Sequence, residues 1–483
     1  MKTICKIMLF VTMIVFLSSC GNDWLNTLPS NRVPTVDAIA NLGDAKSALN
    51  GIYYYLQRSS YHGATTIWYG DIRGDDVMAR SSTYTPWYLY DYTVTNASIT
   101  HWEFPYTAIR FANNILEAID NIEVATLAEA AERDQIKGEA YLVRALAHFD
   151  VCNVYGYPYM KDNGASLGAS IVTTIIQADA QVPRSTVAEC YNELIIPDLL
   201  TAIPLLPSVT NRKGDQQGRF NRWTAKLLLS RVYLYKGDNA KALLEAEECI
   251  AGALASGYAL FTNANYVSQW GEKFSSESLF EIINITGQRT GLNGIANCWY
   301  IGSSSQFVNL TRSFYDFLCE DPNDVRLQIL TSGSTVIGYP AFILKYNSGA
   351  GDVQNANVML FRLSEAYLNA AEAAVKLNQN DKAIQYFNPI VSRANPANSV
   401  TGSVTLEMVI DERRRELVGE GHRVFDLLRN GMKIVRTGPG HNSQMQDYAR
   451  EIDWNNYRCV MPIPLREMET NLNMVQNPGW GVH

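Results

Sequence analysis

The sequence predicts a mostly α-helical protein: a scaffold of tetratricopeptide-like helical hairpins with long irregular loop insertions that form a ligand face. Three observations lead there. Apolar residues recur at helical spacing in segments spread from residue 44 to residue 431. Two distant segments share one hairpin layout, Gly218 to Glu247 with Gly237-Asp238 at the turn, and Arg362 to Phe387 with Asn380-Asp381 there. Their small residues, Ala225 and Ala242 in one, Ala366 and Ala383 in the other, are separated by the same interval and permit close helix approach. The hairpins lie far apart, so they read as scattered units of a curved scaffold and not as a fixed-period array. Finally, the helical period disappears over roughly 60–102, 157–183 and 258–357, and long loops in compact proteins are usually functional.

In order, the chain opens with Lys2 and Lys6 ahead of an apolar run, Ile7 to Phe16, too short to span a bilayer as a stable helix. Leu17-Ser18-Ser19-Cys20 follows. This pattern predicts a lipoprotein signal peptide over 1–19 with Cys20 as the lipidated first residue of the mature chain, an ordinary secretory signal cut nearby being the alternative. Several acyl chains on Cys20 would give a durable anchor. No later stretch is long and apolar enough for a transmembrane helix. Residues 20–35, with Trp24-Leu25 and Leu28-Pro29 among polar neighbours, predict an extended tether. The rest divides into an N-terminal region with helical hairpins, 36–257, and a C-terminal region, 258–483.

Residues 44–58 form an amphipathic helix with Ala45, Ala48, Leu49, Ile52 and Tyr53 on one side. From Tyr61 to Trp102 the stretch is too irregular for a strand ladder, and it interleaves rings with Asp, Arg and Asn. Helices resume over 104–122 and 128–155, and Ser185 is the expected cap of the next, which runs towards Leu206-Pro207. Near the end, Ile410 to Gly431 reads as one helix, with Leu417, Val424 and Leu428 on an apolar stripe. Its neighbouring face carries Arg413, Glu416, Glu420 and Arg423 at spacings that let opposite charges pair along the helix. Asn430-Gly431 is the expected stop.

Composition excludes several classes. Charged residues make up 18% of the 483, and 27 Tyr, 16 Phe and 9 Trp supply core material, so the chain is neither disordered nor a coiled coil. A net charge of -8 argues against nucleic acid as partner, because phosphate binding needs a basic footprint. Beyond Cys5 and Cys20, Cys152, Cys190, Cys249, Cys298, Cys319 and Cys459 are far apart without metal-ligand spacing. Isolated histidines and the absence of a phosphate loop or a nucleophile elbow leave no expected metal, cofactor or catalytic residue. Glu416 and Glu420, one helical turn apart, are the one enzymatic candidate pair. Arginines on the same face would hold both ionised, whereas a general acid needs a raised pKa, so the pair is expected to be structural.

Several segments carry a resemblance. Glu412-Arg413-Arg414, Glu416-Leu417, Glu420-Gly421, Arg423, Asp426-Leu427, Arg429 and Gly431 resemble the C-terminal signature of the SusD/RagB family, E-R-R-x-E-L-x-x-E-G-x-R-x-x-D-L-x-R-x-G. Val424 stands where that family usually has Trp. The segment from Gly138 to Pro158 resembles the family's E-A-x-F-L-R-A-x-x-Y-F helix, and Met461-Pro-Ile-Pro464 with Gln476-Asn-Pro-Gly479 resembles its ending, Trp480 replacing a Tyr. The likeness runs from Cys20 to Trp480. It implies a cell-surface lipoprotein of the outer membrane that binds an oligosaccharide and partners a SusC-like TonB-dependent transporter. A peptide-binding member of the family and an envelope-bound glycoside hydrolase are the alternatives.

A saccharide presents a C–H face that lies against aromatic rings, and hydroxyls that need donors and acceptors. The 61–102 stretch offers both through Tyr84, Trp87, Asp76, Arg80 and Asn96, and Trp299 and Tyr300 in the long insertion offer a second platform. These seven are the expected ligand-binding residues, chosen by composition.

Overall fold

Helices form where the apolar period runs and begin where a side chain can cap them. The computed structural model describes residues 38–80, 85–95, 100–177, 179–208, 218–299, 308–332, 337–347, 351–443 and 445–481. Helix α1 (Leu42–Gln57) starts at Asn41, whose side-chain oxygen accepts the Asp44 N–H at 3.0 Å, and buries Ala45, Leu49, Ile52 and Leu56. Helices α2 (Thr65–Ile72) and α3 (Thr100–Ala118) follow. Helix α4 (Leu127–Tyr155) opens in a capping box between Thr126 and Glu129 and is buried nearly all round from Gly138 onward, which makes it the central helix.

The expected cap at Ser185 moves by one residue. Thr186 forms the capping box with Glu189, and a π-helical stretch, Cys190–Ile195, leads into α5 (Ile196–Leu205). Helix α6 (Arg222–Lys236) is capped by Asn221 and closed by Gly237 at φ +82, after which α7 (Asn239–Ala255) returns. Helices α8 (Leu363–Lys376), α9 (Asn380–Ala394), α10 (Leu406–Leu417) and α11 (Arg423–Arg429) complete the larger helices.

These helices pack in a row: α3 on α4, α4 on α5, α5 on α6, α6 on α7, α7 on α8, and α8 on both α9 and α10. The two hairpins expected as scattered units are therefore neighbours through α7 and α8. Ala225, Ala242, Ala366 and Ala383 are all fully buried, as close helix approach requires. Short strands pair antiparallel in twos: β1 (Val77–Ala79) with β3 (Val308–Leu310), β2 (Ser278–Ile282) with β6 (Val358–Arg362), β4 (Leu330–Thr331) with β5 (Phe342–Ile343), and β7 (Ile434–Val435) with β8 (Glu451–Ile452). The β2–β6 pair ties the two ends of the 258–357 insertion together, and β6 runs straight into α8, so the helical row continues past it. Among the described residues no helix is long and apolar enough to cross a membrane.

The 410–431 segment departs from expectation. It is two helices with a turn between them, because Gly419 and Gly421 take φ values of +82 and +83. The turn is a backbone crossing. A Cβ on Gly70 would lie 1.9 Å from the Gly421 carbonyl oxygen, and one on Gly421 would lie 2.9 Å from the Ile67 Cα. Only glycine on both sides lets α2 and this turn touch.

Candidate functional site

The turn redirects Arg413, Glu416, Glu420 and Arg423 to other partners, while Asp426 and Arg429 pair along α11 at 2.7 Å. Glu416, fully buried, meets Arg393 at 2.6 Å, Arg362 at 2.7 Å and Arg326 at 3.3 Å. Glu420 meets Lys345 at 2.5 Å and Arg362 at 2.6 Å. Arg413 instead pairs with Asp426 at 2.8 Å. Arg423 reaches across to Asp75 at 2.7 Å and Asp76 at 3.3 Å, and Arg414 reaches Asp76 at 2.7 Å. Each charge takes its partner from the element packed against it. Buried charges without such partners would be prohibitively costly.

Electrostatics follow from that geometry. Burial pushes the Glu416 carboxyl up, but Arg393, Arg362 and Arg326 outweigh it and hold the group below the usual carboxylate range. Burial also raises Glu420, and Arg362 with Lys345 reverses the direction there too. Both acids are ionised at neutral pH, so neither carries the proton that a glycosidase acid must donate. At Asp75 burial again raises the pKa, and the Arg423 guanidinium brings it down to about 2.

This network fixes the entry to β1. Asp75 and Asp76 directly precede that strand, and the Thr311 N–H donates to the Asp76 carbonyl at 2.8 Å. Strand β1 then pairs with β3 in the register Val77 with Leu310, Met78 with Asn309 and Ala79 with Val308. The pairing joins the 61–102 stretch to the 258–357 insertion, the two regions that carry the expected ligand-binding residues.

Those residues are placed unequally. Arg80 leaves the end of β1 exposed to solvent. Trp87 is 6% exposed and packs edge-on against Tyr69 and His101, with centroids 6.4 Å and 4.9 Å away. Trp299 is 1% exposed, with its ring 5.7 Å from that of Trp68. Asp76 is 2% exposed and committed to its two arginines. Trp87, Trp299 and Asp76 are thus buried, as large rings usually are. Tyr84, Asn96, Tyr300 and Cys20 lie outside the described residues.

Arg326, Arg362, Arg393, Lys345 and Glu277, which surround the signature acids, were not anticipated from sequence. The available signal was a lone Arg or Lys ending an apolar run, as in Val358–Arg362 and Phe342 to Lys345. An unpaired charge there would be untenable in a core.

Comparison with known proteins agrees with this architecture. A model of the SusD family matches residues 337–480, and a model described as starch-binding associating with outer membrane matches residues 23–234. A solved structure described as a candidate sugar binding protein, from Bacteroides vulgatus ATCC 8482, is 44% identical with a TM-score of 0.85, covering 92% of this chain and 100% of that one. A SusD superfamily protein from the same strain is 37% identical with a TM-score of 0.84, at the same coverage. The chain belongs to the SusD/RagB family. A SusD superfamily protein from Bacteroides thetaiotaomicron VPI-5482 is also 33% identical, with a TM-score of 0.85 over 91% of this chain and 100% of that one. Within the SusD/RagB signature, Val424 is buried and lines a cavity of about 30 Å3 with Tyr235, Phe425 and Leu428.

Proposed function

We propose that this SusD/RagB chain is a lipid-anchored cell-surface protein of the outer membrane that binds an oligosaccharide and hands it to a TonB-dependent transporter, without performing chemistry on it. The observation that carries the proposal is the β1–β3 pairing, which unites two regions where rings interleave with Asp, Arg and Asn. Descriptions of relatives support the ligand class: the 44% identical structure is described as a candidate sugar binding protein, and the model over 23–234 as starch-binding. The starch-binding protein SusD of Bacteroides thetaiotaomicron is 35% identical over 133 residues, 26% of this chain and 22% of that protein. Arg80, Tyr84, Asn96 and Tyr300 are the proposed direct contacts, while Trp87 and Trp299 are buried and Asp76 fixes the strand.

The test is calorimetry of single Ala variants at Tyr84, Trp87, Trp299 and Tyr300 against a glycan panel, each first checked for folding. Each contacting ring should contribute about 1 kcal/mol in a site of micromolar to millimolar affinity. If no variant loses affinity for a glycan that the parent binds, the site is wrong; binding of peptides and no glycan makes the ligand class wrong. For the anchor, Cys20→Ala should abolish palmitate labelling and release the protein from the outer-membrane fraction, and unchanged labelling contradicts it. Purification from solubilised outer membrane should bring down a large β-barrel.

A further inference from the structure

The 157–183 excursion and the tail after Pro464 hold none of the seven expected ligand-binding residues. The structure clamps them together. Tyr106 on α3 both donates through its hydroxyl to the Ser170 carbonyl at 3.0 Å and accepts the Ser170 N–H at 2.7 Å. Asn113 donates to the Val172 and Thr174 carbonyls at 3.1 Å and 3.0 Å. On the other edge Asn471 donates to the Val182 carbonyl at 2.8 Å, and Gln181 donates to the Thr470 carbonyl at 3.0 Å. A cleft of about 630 Å3 lies between α3, the excursion and the tail, within the volume range of small-ligand sites.

The contents of this cleft suit one chemistry. Trp102 and Tyr106 line it, one helical turn apart with ring centroids 5.0 Å from each other. Trp102 is 6% exposed and packs edge-on against Tyr155, whereas Tyr106 is half-buried with its hydroxyl spent on Ser170, so the open part of the Tyr106 ring is what remains to meet a ligand. Glu103, Arg110, Arg466 and Glu467 also line the cleft, and none of the four makes an ion pair or side-chain hydrogen bond among the described residues. Two cations and two anions cancel, which disfavours a ligand of strong net charge. Guanidinium forks and carboxylates are instead matched to pairs of neighbouring hydroxyls, one supplying donors and the other acceptors. One half-buried ring at the wall and mixed charges around it describe a sugar with a C–H face and a rim of hydroxyls.

We propose that this cleft is a second saccharide site, separate from the β1–β3 end, that takes a neutral oligosaccharide of about two or three rings. The proposal rests on the saccharide-binding reading of the chain, and its test separates the two. The cleft uses α3, the excursion and the tail, and shares no residue with the seven expected from sequence.

The mature chain is crystallised and soaked in turn with maltotriose, laminaritriose, cellotriose, xylotriose and mannotriose, with digalacturonate and trialanine as charged and peptide probes. Calorimetry of the same probes compares the parent, Arg110→Ala/Arg466→Ala and Arg80→Ala. Both cleft arginines are exposed, so their double variant keeps the fold, which circular dichroism verifies. At least one neutral trisaccharide should show density against Tyr106, and the double variant should weaken that binding about ten-fold or more. Crystals of Arg80→Ala soaked in the same way should keep the density in the cleft. Density only at the Arg80 end, with the double variant binding as the parent does, overturns the cleft and leaves the primary function standing. Digalacturonate or trialanine in the cleft, with no neutral sugar there, overturns the ligand assigned to it. Failure of every probe to bind anywhere overturns both readings.

Discussion

Around Glu416 the arginines and glutamates are buried and matched against one another, whereas at Arg80 and in the cleft beside α3 the same residue types are exposed or half-buried and make no ion pair among the described residues. Composition does not separate these regions. Accounting for partners does: a buried charge survives only where opposite charges and donors already surround it, and an exposed one keeps its bonding capacity for a ligand. The signature segment is therefore a brace that ties α2, β1, β6 and α8 to the C-terminal helices, and recognition belongs to groups the brace leaves free.

The largest effect that could break this contrast is at Glu416. Glu416→Gln leaves Arg326, Arg362 and Arg393 partly uncompensated in the interior, and should cost about 3–5 kcal/mol in denaturant unfolding. A loss below about 1 kcal/mol would mean that the network is not the brace. Gly70→Ala comes next. Its new Cβ meets backbone at Gly421, not a flexible side-chain end, so the α2 crossing must open at a cost of about 3 kcal/mol, read as a lowered Tm.

A smaller effect is pH-dependent. Asp75 sits at about 2 in the folded chain against an ordinary 3.8. Its contribution is present above pH 4 and lost as pH falls through about 2, and amounts to about 2 kcal/mol. Asp75→Asn should remove that share of the acid lability, so that unfolding curves at pH 5 and pH 2.5 lie closer together than for the parent. Curves with unchanged spacing would place the lability elsewhere in the network.

Much of the helical scaffold was legible in the sequence because its period is local, as at Ala45, Leu49 and Ile52. The break after Leu417 was signalled by Gly419 and Gly421, since glycine inside a helical pattern is costly, but the charge spacing around it suggested continuity. Partners such as Arg362 for Glu416, or Val308 for Ala79, were not legible, because nothing local records which element packs against which. The rings illustrate the same limit: Trp87 and Trp299 lie in the regions that the sequence singled out, yet burial depends on neighbours, Tyr69, His101 and Trp68, that spacing does not reveal.

The smallest effect on stability belongs to Arg80. Its substitution by Ala should change unfolding by less than about 0.5 kcal/mol, because the side chain is exposed and makes no ion pair among the described residues. Measuring Tm and glycan affinity together on Glu416→Gln and Arg80→Ala tests the division between brace and recognition most directly. Glu416→Gln, assayed well below its Tm, should lose stability and keep the parent's affinity, while Arg80→Ala should keep its Tm and bind its glycan about five-fold or more weakly. Loss of affinity in folded Glu416→Gln, with Arg80→Ala binding as the parent does, would contradict it.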